Sequence, residues 1–132
     1  MSLERIKEIC KDFKKALERL KEALNENFAS ENIVVDATIQ RFEFSFELSW
    51  KLMRAVLNYN GIEAESPRVV VKEAFKLKII QNGEDWIDML EDRNKTSHIY
   101  DEKEALRIYK KIKKTHYKLL KHLENDIMKF VG

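Results

Sequence analysis

Phe42-Glu43-Phe44-Ser45-Phe46-Glu47-Leu48-Ser49-Trp50 supports two readings that lead to different proteins. Aromatic and polar residues alternate along it, which is the period of a half-buried strand. The flanking sequence favours the other reading. Ile39, Phe42, Phe46, Trp50, Met53 and Leu57 keep helical spacing across a run that has no Gly or Pro until Gly61, far longer than the ~5 or 6 residues of a usual strand. The segment from Asn32 to Asn60 is therefore expected to be one helix, apolar on more than one side and so central to a bundle, with Gly61 as its C′ stop.

Working outward, Ile6, Cys10, Phe13, Leu17, Leu20 and Leu24 recur at steps of three and four, predicting a first helix from Leu3 to about Phe28. Ser66-Pro67 reads as an N-cap and first-turn proline, opening a helix that runs to a stop at Asn82-Gly83. A fourth helix is expected from about Glu84 to Thr96 or Ser97. Asp101-Glu102-Lys103-Glu104 resembles a capping box, with Asp101 accepting from first-turn amides and Glu104 reaching back, so a last helix should span about Glu102 to Phe130. The expected fold is all-α, an up-and-down bundle of about five helices forming a single domain over residues 1–132.

Composition agrees with that class. Only 3 Gly and 1 Pro occur in 132 residues, while 36% are charged and 44% hydrophobic, a mixture suited to long amphipathic helices. The single cysteine, Cys10, excludes an intrachain disulfide, and no Cys/His cluster offers a zinc site. The opening MSLERIKEICKDFKK has no apolar signal core, and no stretch approaches a membrane span. A soluble, cytoplasmic protein without metal or cofactor is expected. Net charge is +2, so any affinity for nucleic acid must come from the arrangement of charges.

One candidate site lies in Arg93-Asn94-Lys95-Thr96-Ser97-His98-Ile99-Tyr100. If Arg93 occupies the last turn of the fourth helix, His98 and Tyr100 fall in the connection to the fifth. In RNA cleavage an imidazole takes the 2′-hydroxyl proton or protonates the leaving oxygen, because its pKa near ~6.5 is close to working pH. The planar fork of Arg93 suits phosphate oxygens, and Asn94 could orient the phosphate or His98. The residues by themselves also fit, and by themselves favour, a second reading: an Arg favourable at a helix C-terminus, with a loop His and Tyr packing between helices. His116 falls on the apolar side of the last helix and His122 near its surface, and neither is assigned a role.

A second candidate is a basic stripe. Arg107, Lys110, Lys111, Lys114, Lys118 and Lys121 fall within about 100° of arc and run about 21 Å along an ideal helix, long enough to follow several phosphates of an RNA. The alternative is an ordinary solvated face.

At these residues the sequence resembles the HEPN superfamily, specifically the nucleotidyltransferase substrate-binding proteins related to the HepT toxins of MntA/HepT pairs. The resemblance rests on Phe46-Glu47-Leu48-Ser49-Trp50-Lys51-Leu52, on Ser66-Pro67-Arg68, and on Trp86-Ile87-Asp88-Met89-Leu90 leading into the Arg93-to-Tyr100 octet. It implies a two-fold homodimer with each protomer's Arg and His facing a shared cleft, and a small nucleotidyltransferase as partner and antitoxin. It further implies that Arg93 and His98 form a metal-independent endoribonuclease pair and that Tyr100 accepts AMP, silencing cleavage by added bulk and negative charge. The alternative is a noncatalytic subunit that presents substrate or nucleotide to the transferase, with Arg93 holding phosphate. A purely structural bundle would tolerate changes at both Arg93 and His98.

Overall fold

A computed structural model of the chain describes residues 2–26, 31–98 and 101–132. Helix α1 spans Leu3–Asn25 and starts where the Ser2 side chain accepts a hydrogen bond from the Arg5 amide at 3.2 Å. Its buried stripe includes Ile6, Phe13, Leu17, Leu20 and Leu24, as the spacing predicts, and it faces α2. It ends at Asn25, with Glu26 already extended, so it is shorter than expected; Phe28 lies outside the described residues.

Helix α2, Glu31–Tyr59, is the central helix and packs against α1 and the helices that follow. Phe42, Phe46 and Trp50 are buried, whereas Phe44 is 61% exposed, an outcome that a strand with all its aromatics on one face would not give. Ser45 and Ser49 are buried beside them, and the Ser49 hydroxyl donates to the Phe46 carbonyl at 2.7 Å within the helix. The end of α2 is closed by paired backbone bonds, Ile62 N–H to the Leu57 carbonyl and Gly61 N–H to Asn58, with Gly61 at φ 82°. Gly61 thus caps the helix as its sequence position predicts.

Helix α3, Pro67–Lys76, is capped by Ser66, whose hydroxyl accepts from the Val69 amide at 3.4 Å. It ends well before the expected stop at Asn82-Gly83. The same pair of bonds closes it, Ile79 N–H to Ala74 and Lys78 N–H to Phe75, but here a lysine, Lys78, takes the left-handed position at φ 63°. Asn82-Gly83 instead begins α4, Gly83–Lys95. A Cβ at Gly83 would stand 3.0 Å from the Phe75 ring, so the glycine lets the start of α4 pack on the end of α3.

After α4 a 3₁₀ turn covers Thr96–His98. The final run comprises α5 (Glu102–Lys111), a π turn over Ile112–His116, α6 (Tyr117–Asp126) and a 3₁₀ turn to Phe130. Lys111, Ile112, His116 and Tyr117 all keep right-handed helical dihedrals, so it is one continuous helical path, as expected, with a wide turn inside it. Asp101 Oδ1 accepts from the Glu104 amide at 2.7 Å, but the Glu104 side chain is turned to Arg107, so only half of the expected capping box forms. One apolar core joins these helices; no strand occurs among the described residues, and no helix is long and apolar enough to cross a membrane.

Candidate functional site

Arg93 lies in the last turn of α4 because apolar Trp86, Met89 and Leu90 fix the helix on the core and leave that turn at the bundle's edge. Its half-buried guanidinium faces α2, with one nitrogen 4.0 Å from Glu47 Oε2. Burial pushes the Glu47 carboxyl up, but hydrogen bonds from Trp50 and Lys51 and the charges of Lys51 and Arg93 outweigh it and hold the group below the usual carboxylate range. Glu47 is therefore an anion beside Arg93, its hydrogen bonds going to Trp50 and Lys51.

Thr96 fixes the next turn. Its hydroxyl lies 2.6 Å from the Arg93 carbonyl and 2.9 Å from Glu43 Oε2, and its one proton serves either acceptor. His98 ends the 3₁₀ turn with its side chain exposed, on helical backbone where a loop is expected. It borders a shallow hollow of about 410 Å³ with Asn94, Lys95, Glu91 and Glu104. Asn94 and His98 thus share one hollow, whereas Arg93 points toward α2. Tyr100, the expected AMP acceptor, lies outside the described residues.

The basic residues of the last helix do not present the uniform stripe an ideal helix would give. Arg107 is tied to Asp92 at 2.9 Å and to Glu104 at 2.8 Å, Lys111 to Asp88 at 2.5 Å, and Lys121 to Glu124 at 2.8 Å. Those hydrogen bonds stabilise the charged forms, raising Arg107, Lys111 and Lys121 above their ordinary values despite some burial. The π turn shifts the register between Lys111 and Tyr117. Lys110 is exposed to solvent, while Lys114 and Lys118 border a separate cleft beside α4. The reason for two of these pairings is that Asp92 and Asp88, one turn apart on α4, meet Arg107 and Lys111, one turn apart on α5; Lys121 is paired within its own helix.

The part of the site missed by sequence reading is beneath the motif. His116 and Asp92 are both buried, with His116 Nε2 2.8 Å from Asp92 Oδ2 and the imidazole stacked on Phe42 at 5.5 Å. Burial raises the Asp92 carboxyl, but hydrogen bonds from His116 and Arg107 and the Arg107 charge hold it low. An ionised carboxylate only accepts, so His116 donates from Nε2. A polar residue directly before Arg93 and a histidine on an apolar stripe were the available signals. Asp88, Asp92 and His116 also bring three metal-type ligand atoms within 4.8 Å of one another, but Lys111 and Arg107 already balance the two carboxylates.

The family described as nucleotidyltransferase substrate binding protein like matches residues 8–129. A probable ribonuclease HepT of Haemophilus influenzae is 32% identical over 87 residues, which cover 62% of this chain and 60% of that protein. A crystal structure of a Thermus thermophilus protein superposes with a TM-score of 0.78 at 29% identity, covering 91% of this chain and 99% of its own. A Haemophilus influenzae structure, described as the fold of a substrate binding domain of a nucleotidyltransferase, gives 0.64 at 23% identity over 94% and 97% of the two chains. The helical bundle is common to these structures.

Proposed function

This chain belongs to the nucleotidyltransferase substrate binding protein-like family, and from that premise we propose that it is the partner of a small nucleotidyltransferase and a toxin-like, metal-independent endoribonuclease. The observation that carries the reading is a cation and an exposed imidazole placed at one helix end: Arg93, 4.0 Å from Glu47, and His98, exposed to solvent five residues later. Similarity to a probable ribonuclease supports it, over a match that spans 60% of that relative's length.

In this reading His98 takes the 2′-hydroxyl proton or protonates the leaving oxygen, and Arg93 stabilises charge on the phosphate. In the two-fold dimer that the family resemblance implies, a second protomer would complete the cleft. Two exposed apolar side chains on α2, Phe44 and Ile33, supply a surface that a homodimer would cover, and Phe44 lies within one turn of Glu47. AMP transfer to Tyr100 by the partner would silence cleavage. The setting is cytoplasmic, where RNA and nucleotide are both present. Lys110, Lys114 and Lys118 remain as the stripe residues open to RNA phosphates, with Arg107 and Lys111 tying the final run to α4 and Lys121 paired with Glu124 of its own helix.

The test is cleavage of total RNA and tRNA by the purified dimer. His98→Ala should lose about 100-fold or more in rate with the dimer intact. Wild-type protein that leaves every RNA uncut sinks the enzymatic claim. The second reading is a noncatalytic substrate- or nucleotide-binding subunit of the transferase, favoured by the separation of Arg93 from the His98 hollow within one chain. Transferase activity that depends on this chain, without RNase activity from the chain alone, selects it.

A further inference from the structure

A surface groove of about 490 Å³ runs between α3 and α4. The two helices are antiparallel there: Arg68 at the start of α3 reaches Glu91 late in α4 at 3.7 Å, while the ring of Phe75 near the end of α3 lies against Gly83 at the start of α4. Val71, Phe75 and Ile87 make the floor apolar, and Phe75 is 49% exposed. An aromatic ring left that open beside a half-buried isoleucine marks a surface for association.

Its two walls carry opposite charge. Lys72 lines the α3 wall, with Arg68 one turn away, and no acid lines that side. On α4, Glu84, Asp88 and Glu91 recur at steps of four and three over about 10 Å of helix, and no base lines that side. Within one chain the walls are only partly neutralised. Glu91 meets Arg68 and Asp88 turns instead to Lys111, whereas Lys72 and Glu84, both exposed, have no ion pair among the described residues. An apolar floor between a basic wall and an acidic wall is complementary to itself, because half a turn about the line of the groove lays each copy's α3 on the other's α4. A partner of uniform charge would be repelled by one wall, so the pattern selects a second copy.

We propose that the groove between α3 and α4 is a two-fold interface with a second copy of this chain, Phe75 and Ile87 packing at its centre and Lys72 of each copy pairing with the acids of the other's α4. It shares no residue with the Phe44 and Ile33 surface of α2; where α2 also pairs, the groove joins two dimers. It uses neither Arg93 nor His98, so it stands or falls independently of the ribonuclease reading.

Carbodiimide cross-linking of a mixture of unlabelled and isotope-labelled full chain, with velocity sedimentation, tests it. Cross-links should join Lys72 of one isotope to Glu84 or Asp88 of the other, and Phe44→Lys should leave them in place. Sedimentation is then compared in that Phe44→Lys background, which takes the α2 surface out of the measurement. Lys72→Glu and Glu84→Lys should each weaken association by about tenfold. Mixed in equal amounts, the two variants should associate to within about threefold of the parent, because each copy supplies the charge the other lacks. Misfolding of either variant cannot produce that recovery. Absence of mixed-isotope cross-links at Lys72, their loss in Phe44→Lys, or a mixture that fails to recover overturns the assignment. So does a chain that does not self-associate here but loses binding of a different protein on Phe75→Lys, which makes that protein the occupant.

Discussion

His116 Nε2 lies 2.8 Å from Asp92 Oδ2, and this buried contact joins the π turn of the last helical run to the residue directly before Arg93. Arg107 closes the other side of the same carboxylate at 2.9 Å, so one aspartate ties α4 to two turns of the final run. Position and stability of the motif's helix therefore depend on a group that makes none of the proposed chemistry.

The Asp92 carboxyl is held below the ordinary carboxylate range in the fold, so its contribution to stability is present above an unfolded pKa near ~4 and lost as pH falls through the lower folded value. Urea unfolding between neutral and strongly acid pH reads this directly. Asp92→Asn should cost about 3 kcal/mol at neutral pH and give a flatter decline in the acid limb than the parent. A variant with the parental acid slope would assign that limb to other carboxylates.

Backbone conformation makes an opposite pair of predictions at two helix ends. Lys78→Gly should stabilise the chain by about 0.5 to 1 kcal/mol, because glycine adopts φ 63° without the steric cost of a Cβ. Gly61→Ala, at φ 82°, should destabilise it by about 1 kcal/mol for the same reason. Denaturant midpoints that move in the same direction for both variants would contradict the shared capping geometry.

Thr96 connects the motif's 3₁₀ turn to both the Arg93 carbonyl and Glu43. Thr96→Val keeps the branched shape but removes the hydroxyl, with an expected loss of about 1 kcal/mol in stability. If the turn presents His98 for catalysis, RNA cleavage should fall while His98→Ala protein shows no further loss on adding the Thr96 change. Rates from the single and double variants decide this.

The proposed regulation by a nucleotidyltransferase partner is tested at Tyr100. Coexpression with a nucleotidyltransferase encoded beside this chain should add the mass of one AMP to the protein and suppress cleavage. Tyr100→Phe should abolish the mass gain and leave cleavage active in the partner's presence. Modification that persists in the Phe variant would move the acceptor elsewhere.

Much of the helical architecture was legible in the sequence because helix period is a local property. Ile39, Phe42, Phe46, Trp50, Met53 and Leu57 outweighed nine residues of strand-like alternation, and Ser66, Asp101 and Gly61 marked caps through side-chain and backbone chemistry that acts within a few residues. The early stop of α3 was hidden because lysine, not glycine, sits at its left-handed position. Ideal periodicity also misled at the basic stripe, since a π turn and the acids of α4 are invisible to a single-helix projection.

The sequence by itself determined the helices and the Arg-to-His spacing, since both depend on neighbours along the chain. Only the tertiary structure decided that Asp92 and His116, 24 residues apart, share a buried hydrogen bond. It likewise turned Arg93 toward Glu47, opened His98 beside Asn94, and divided the lysines between ion pairs and a cleft. Those outcomes depend on how α2, α4 and the final helical run pack against one another. Charge pairing and burial act through space, and no local period records them.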